Sequence, residues 1–289
     1  MAESVGQKSL RAENITKTVT GFALREYVFK QLCMVQSSSA WKETYYIETA
    51  ADLSGAAIYN PSEIPRLANF PYGEVTWTEA TKRHKKFGME TRISWEDAKT
   101  NDVDVIARSL LRIARAVTKK VDKEIWDVIS DNRAGTTTNN VDIAAGSEWN
   151  SATIGNRDPI QNILDAKKEI AVDNYNPDSN GYLVLNPKDF ANLLGNANVR
   201  NAGQFYTDDV TRNGKVGFLL GLKVLVSNNV TADYAAVIVG GSASWKTVQG
   251  LTTQTIEDPG IGYTIRSWEV GCCQLKQPEA VCLISNTAA

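Results

Sequence analysis

Histidine is all but absent. His84 is the only one among 289 residues, and it lies in a lysine run, Lys82-Arg83-His84-Lys85-Lys86. A histidine-based metal centre or catalytic triad has almost nothing to draw on, and a solvated surface position is the simpler role for His84. Cysteine is scarce as well: Cys33, Cys272, Cys273 and Cys282, with no Cys-x-x-Cys pair and none near His84 in sequence. Four thiols in so long a chain make no disulfide framework, and zinc would need several Cys or His ligands gathered at one point. Buried reduced thiols, in a reducing cytoplasm, are the expectation.

Long apolar runs are missing too. The longest, around Ala235 to Val239, falls far short of the ~20 residues a bilayer demands, and no basic-then-apolar leader opens the sequence. No membrane partner is expected. No Gly-x-x-x-x-Gly-Lys phosphate loop occurs, and Gly260-Ile261-Gly262 lacks the third glycine of a dinucleotide loop, so it reads as a turn. Around Gly240-Gly241-Ser242-Ala243-Ser244 a nucleophile elbow would need glycine where Ser244 stands. Asp102 and Asp104 are neighbouring carboxylates, but at a helix start they serve the macrodipole before they serve a metal. No catalytic residue, cofactor or metal is expected, and therefore no enzyme.

What is present is the make-up of a globular protein, 43% hydrophobic and 22% charged, able to bury a substantial core. The formal net charge of −2 excludes an indiscriminate polycation. The charge is unevenly spread, however: Thr81 to Arg133 holds 13 Lys or Arg against 9 Asp or Glu, leaving 18 against 24 elsewhere. A basic segment sits inside an acidic protein.

Along the chain, Glu13 to Gln36 carries apolar residues at helical spacing and predicts a helical arm. Trp41 to Thr49 alternates, with Glu43, Tyr45 and Ile47 on one face, and Val75 to Ile93 again reads as strand. Gly55, Pro61, Pro65, Pro71 and Gly73 lie between them, so the two runs predict a long hairpin whose tip projects from the body. Ser94 with Asp97 resembles a capping box, and Asn101 with Asp104 offers a second helix start. From there Ile106, Leu110, Ile113, Val117, Val121, Ile125 and Val128 recur at steps of three and four. The spacing predicts one helix to about Ser130, a rod of roughly 45 Å at ~1.5 Å per residue. A turn-rich stretch follows from Ala134 to Gly155. Asp158-Pro159 and Asn186-Pro187 each place a cap before a first-turn proline, opening two further helices on either side of a strand at Tyr182 to Leu185. Strand signals resume at Val216 to Ser227, Tyr234 to Val239, Leu251 to Ile256, Tyr263 to Cys273 and Ala280 to Ile284.

The long helix carries a second pattern. Arg108, Arg112, Arg115, Lys119 and Lys123 follow the same steps but trail the apolar stripe by two positions, which at ~100° per residue is ~200° of rotation. The cations therefore face away from the core. A solvated face is the plain reading; five cations with no anion among them also make a field suited to polyphosphate.

The order of parts, arm, long hairpin, one very long helix, a mixed domain and returning strands, resembles the major capsid protein of tailed bacteriophages, the Hong Kong 97-type fold. Locally, Tyr182-Leu183-Val184-Leu185-Asn186-Pro187, Gly221-Leu222-Lys223-Val224-Leu225-Val226-Ser227 and Pro278-Glu279-Ala280-Val281 resemble that family's strand-then-proline-helix, glycine-led strand and closing strand. The resemblance implies an α+β fold divided into an N-terminal arm (1–40), an extended hairpin loop lying over a neighbouring subunit (41–93), a peripheral domain with the spine helix (94–149), an axial domain (150–243) and peripheral return strands (244–289). It implies a virion shell built of hexamers and pentamers of this chain and assembled in the host cytoplasm. The basic stripe would face packaged DNA without reading its sequence, and portal, decoration and separate scaffolding proteins would be further partners. Too few residues precede the hairpin for a fused scaffolding domain, and no Lys and Asn pair with an acidic catalyst supports covalent cross-linking. Two rivals remain at this stage: an encapsulin-type compartment of the same fold, and a soluble enzyme whose site is assembled from scattered residues.

Overall fold

The computed structural model describes residues 27–48, 63–70, 78–100, 103–130, 138–197, 199 and 217–288. Strand β1 (Cys33–Ser37) runs parallel to the start of β10 (Ala243–Asp258), which forms a long antiparallel hairpin with β11 (Gly262–Leu275). The other side of β11 pairs with β4 (Lys85–Ser94), giving a four-stranded sheet in the order β1-β10-β11-β4. After β4 come a short helix, α1 (Trp95–Thr100), and the long helix α2 (Val103–Ile129), 27 residues that pack on β4 and β11. At ~1.5 Å per residue α2 is about 40 Å long. The Ser94 hydroxyl accepts from Asp97 N at 3.1 Å, the expected cap of α1.

The second sheet has six strands in the order β5-β12-β9-β6-β8-β7: β5 (Asn139–Asp142), β6 (Gly181–Leu185), β7 (Phe218–Leu219), β8 (Leu222–Val226), β9 (Tyr234–Val239) and β12 (Val281–Ser285). Helix α3 (Pro159–Val172) packs on it, and α4 (Pro177–Asn180) and α5 (Pro187–Gly195) bracket β6. All three helices open on the same local chemistry. Asp158, Asn176 and Asn186 each cap with a side-chain oxygen accepting a backbone N–H, and each is followed by a first-turn proline whose missing donor costs nothing there.

The central strands of this sheet read as unbroken apolar runs because both faces are covered. Tyr182, Val184, Ala236, Ile238, Val281 and Leu283 enter the core shared with α2, whereas Leu183, Leu185, Ala235, Val237, Cys282 and Ile284 enter the core beneath α3 and α5. One sheet thus welds the two cores. Burying each such aliphatic side chain is worth roughly 1.5–3 kcal/mol. Trp126, Trp149 and Trp245 are fully buried and anchor the two cores.

Strands β2 (Lys42–Ile47) and β3 (Thr78–Arg83) form the expected hairpin as a separate two-stranded ribbon, with Glu43, Tyr45 and Ile47 on its more protected face. It is tied to the body at both ends of its paired length: Gln274 Nε2 donates to Glu43 Oε2 at 3.0 Å near the root, and beyond Ile47 Tyr175 Oη donates to Glu48 Oε2 at 2.6 Å and Glu48 N to Lys276 O at 2.9 Å. Gly55, Pro61, Pro71 and Gly73 lie outside the described residues, but Leu67 and Phe70, between the two strands in sequence, are fully exposed and 84% exposed.

Several expectations need correction. The helical arm does not extend to Gln36: residues 13–26 lie outside the described residues, Phe29–Gln31 form a single 3-10 turn, and β1 begins at Cys33. Pairing with β10 overrides the local periodicity there. The turn-rich stretch contains strand β5, and a short helix, α4, precedes Gly181. The strand expected at 251–256 is part of the much longer β10. Gly260-Ile261-Gly262 is a turn, as read. At Gly262 a Cβ would lie 2.2 Å from Ile93 O, so glycine is required there. Finally, β12 does not return to the sheet of β10 and β11. It pairs with β5 and β9, because its apolar run Val281–Ile284 suits a strand covered on both faces.

Candidate nucleic-acid interface

Helix α2 divides its circumference cleanly. Leu110, Ile113, Val117, Val121 and Ile125 are no more than 3% exposed, with Val128 at 9%. On the opposite face Arg108, Arg112, Arg115 and Lys119 are exposed and Lys123 is half-buried. The stripe read from the sequence is therefore one continuous surface, brought together by helical phase alone.

Its far end is less purely cationic than the sequence spacing suggested. Lys123 Nζ lies 2.6 Å from Asp127 Oδ1, one helical turn on. Both partners are half-buried and well wetted, so the pair's own contribution is small, but it offsets one charge of the stripe. Glu124 is engaged by Lys85 of β4 at 2.5 Å, which ties the root of the hairpin to the long helix.

Beside the C-terminal half of the stripe runs the connection from β8 to β9. This loop is pinned rather than loose: Trp126 Nε1 donates to Thr231 Oγ1 at 2.9 Å, Asn186 Nδ2 to Val230 O at 3.1 Å, and Asn229 N to Ser227 Oγ at 3.2 Å. Helix and loop enclose an open cleft of about 510 Å³, lined by Lys119, Lys120, Lys123, Asn228, Asn229 and Thr231 together with the apolar Ala116 and Val230. A second open hollow, about 420 Å³, is formed by Arg108, Ser109, Leu111, Arg112 and Arg115. Lys120, Asn228 and Asn229 were not singled out in the sequence. Lys120 sits one position off the stripe, and nothing local tells that a loop a hundred residues away will stand beside it.

The flank of α2 holds the N-terminal segment through buried carboxylates. Asp122 accepts from Val28 N at 2.9 Å and Phe29 N at 3.3 Å, and burial raises its carboxyl to about 6 despite those bonds. Glu269 of β11, 1% exposed, receives Lys30 Nζ at 2.5 Å, Tyr27 Oη at 2.5 Å and Trp245 Nε1 at 3.2 Å. Burial, then the Glu269 charge, push the Tyr27 phenol far up, so it stays a donor. Phe29 stacks on Trp126 with ring centroids 6.0 Å apart. These contacts fasten residues 27–31 across the side of the helix.

Of the remaining sequence candidates, His84 is buried rather than solvated: at the break between β3 and β4 its ring turns inward, with Nε2 3.6 Å from Glu43 Oε1 and 3.9 Å from Cys272 Sγ. All four cysteines are buried and unbridged, and burial pushes the Cys272 thiol up to about 11, which keeps it unreactive. Among the described residues no group of three or more His, Cys, Asp or Glu is arranged to hold a metal ion, and no helix is long and apolar enough to cross a membrane. Asp102 lies outside the described residues.

Comparisons place this architecture. The capsid of cyanophage P-SCSP1u matches with a TM-score of 0.67 at 14% identity, covering 90% of this chain and 88% of that one. A virus-like particle from Pyrococcus furiosus matches at 0.64 and 12% identity, covering 94% and 98%, and Mycobacterium phage Che8 at 0.58 and 18%, covering 86% and 85%. Identities this low speak for the fold alone, the Hong Kong 97-type arrangement anticipated from the order of elements. No curated protein matches the sequence. The pattern of the family described as phage capsid protein matches residues 78–284, from the returning strand of the hairpin to the closing strand, and the chain belongs to that family.

Proposed function

We propose that the protein is the major capsid subunit of a tailed phage, assembling with copies of itself into hexamers and pentamers of an icosahedral shell around double-stranded DNA. The family match across residues 78–284 carries this reading, and the protein's role is structural. The ribbon of β2 and β3 supports it from the physical side. A two-stranded ribbon is marginal in water, and exposed Leu67 and Phe70 lie between its two strands in sequence, so its natural cover is a neighbouring subunit. Residues 41–93 act as the extended loop and residues 94–149, apart from β5, act with β10 and β11 as the peripheral domain. Residues 150–243 form the axial domain, completed by β5 and β12. Assembly takes place in the host cytoplasm, where four buried free thiols are at home, with a separate scaffolding protein, a portal and decoration proteins as partners.

The exposed basic face of α2, Arg108, Arg112, Arg115, Lys119 and Lys123, lines the interior and neutralises DNA phosphates without reading bases. Electron microscopy and size-exclusion chromatography of the purified protein test the assembly. Closed shells of hexamers and pentamers are expected, and a well-behaved 32 kDa monomer (31.7 kDa by sequence) at every concentration and salt defeats the proposal. Shells that hold only protein cargo would turn the reading to an encapsulin-type compartment. Deleting residues 53–71 should leave the body folded and abolish assembly, read by the same two measurements.

A further inference from the structure

Three linked hollows flank the cations of α2, and in the middle one Arg115 and Lys119 meet Asn228, Asn229 and the Asp122 carboxylate. Arg108, Arg112 and Arg115 share one hollow, while Lys119, Lys120 and Lys123 share a cleft whose opposite wall is the pinned loop of Asn228, Asn229 and Thr231. Resting on the reading of this face as the DNA-facing one, we propose that the cleft is a built phosphodiester site, in which the Asn228 and Asn229 amides hold phosphate oxygens that Lys119, Lys120 and Lys123 attract.

Three observations carry this. The first is the nature of the loop donors. An asparagine amide offers two N–H groups, and a loop fixed by Trp126, Asn186 and Ser227 presents them with little ordering left to do on binding. Asn228 is exposed and Asn229 half-buried, and both line the cleft.

The second is what the face lacks. Among the described residues none of the exposed large apolar side chains lies on α2 or on the β8–β9 loop. A protein partner is held by buried aromatic or aliphatic anchors, and a polyphosphate needs none. The third is spacing. Arg112 and Lys120, near the middle of the two clusters, are eight residues or ~12 Å apart along the axis, far enough to engage separate phosphates of one duplex. With six cations in all, the slope of log affinity against log salt can reach about −5. Asp127 limits this by holding Lys123, and its own charge repels the ligand.

The test uses subunits released from the shell and a short labelled DNA duplex, followed by fluorescence anisotropy over a series of sodium chloride concentrations, with thermal melts confirming that each variant is folded. Replacing Lys119, Lys120 and Lys123 with Gln should flatten the salt slope by about 2–3. Asn228→Ala, at an exposed position, should weaken binding about 3- to 10-fold at every salt and leave the slope alone, and Asn228→Ala with Asn229→Ala should weaken it further. Asp127→Asn should strengthen binding several-fold and steepen the slope by about 1. If the asparagine variants bind like the parent while the lysine variant weakens, the cleft site is overturned and the DNA-facing reading stands. If the parent fails to bind duplex even at the lowest salt, both fall. If poly-glutamate displaces the duplex at equal charge concentration, the ligand is an acidic protein segment and the proposal is wrong.

Discussion

Asp189 occupies the third position of α5 and is completely buried, with neither carboxylate oxygen meeting a hydrogen-bond donor at good geometry. Burial raises its carboxyl from 3.8 to about 6, the charge of Asp233 adds to the rise, and the Thr287 hydroxyl and Lys188 offset only part of it. At about 1.4 kcal/mol per pH unit that displacement is worth about 3 kcal/mol. An acid in the first turn of a helix gains only about 0.3–1 kcal/mol from the macrodipole, so the burial penalty wins and the ionised carboxylate destabilises the fold.

The pH window follows from the direction of the shift. The folded state holds its proton more tightly than the unfolded state, so the unfolded chain releases its proton first, near pH 3.8, and stability falls as pH rises from there to about 6. Above pH 6 the penalty is constant. Asp189→Asn removes the charge at nearly constant shape, and should raise stability by about 1–3 kcal/mol at pH 8, with little change at pH 4. Differential scanning calorimetry of parent and variant shells at the two pH values reads this as a rise in melting temperature at pH 8 only. A variant that melts lower than the parent at pH 8 would refute the reasoning, because the carboxylate would then have a partner worth more than its desolvation costs.

Two further outcomes follow from the charged groups around α2. Replacing Arg108, Arg112 and Arg115 with Gln keeps helix propensity high and leaves the apolar face untouched; intact empty shells are expected, with genome-filled particles less stable as salt falls, measured by DNA release on heating. Packaging and retention equal to the parent at low salt would reduce these arginines to a solvated face. Glu269→Gln takes the charge from a buried acceptor shared by Lys30, Tyr27 and Trp245; since Lys30 keeps 19% exposure, the cost should be about 2–3 kcal/mol rather than the full penalty of a stranded ion, read by chemical denaturation of the subunit.

Much of the fold was legible because its elements carry their own signals. The steps of three and four from Leu110 to Val128 identify a helix whatever surrounds it, and the cap-and-proline pairs at Asp158-Pro159 and Asn186-Pro187 start helices by local chemistry. The same signature stands at Asn176-Pro177 and could have revealed α4. Strand β5 could not be read: Asn139-Asn140-Val141-Asp142 offers one apolar residue, and it is a strand only because β12 is there to pair with it. The segment before β1 misled for the same reason, since Tyr27, Val28 and Leu32 fit a helix locally while Cys33 is claimed by Ala243 of β10. His84 looked solvated among its lysines because the break between β3 and β4, which turns the ring inward, has no Gly or Pro to announce it.

The cleft beside α2 illustrates a sharper limit. Its cations were visible as a phase relation within one helix, but its amide wall depends on Trp126 reaching Thr231 across 105 positions of sequence. That bond also predicts that charge on this face can be changed without loss of the fold. Trp126 contributes to the core with its ring and to the loop with its indole N–H, so the loop is held from the buried side of the helix. The solvent side is left to Arg108, Arg112, Arg115, Lys119, Lys120 and Lys123, whose replacement empties no core position. If this face lines the shell interior, as proposed, the separation lets the field around a polyanion be tuned at positions that contribute nothing to the packing holding the subunit together.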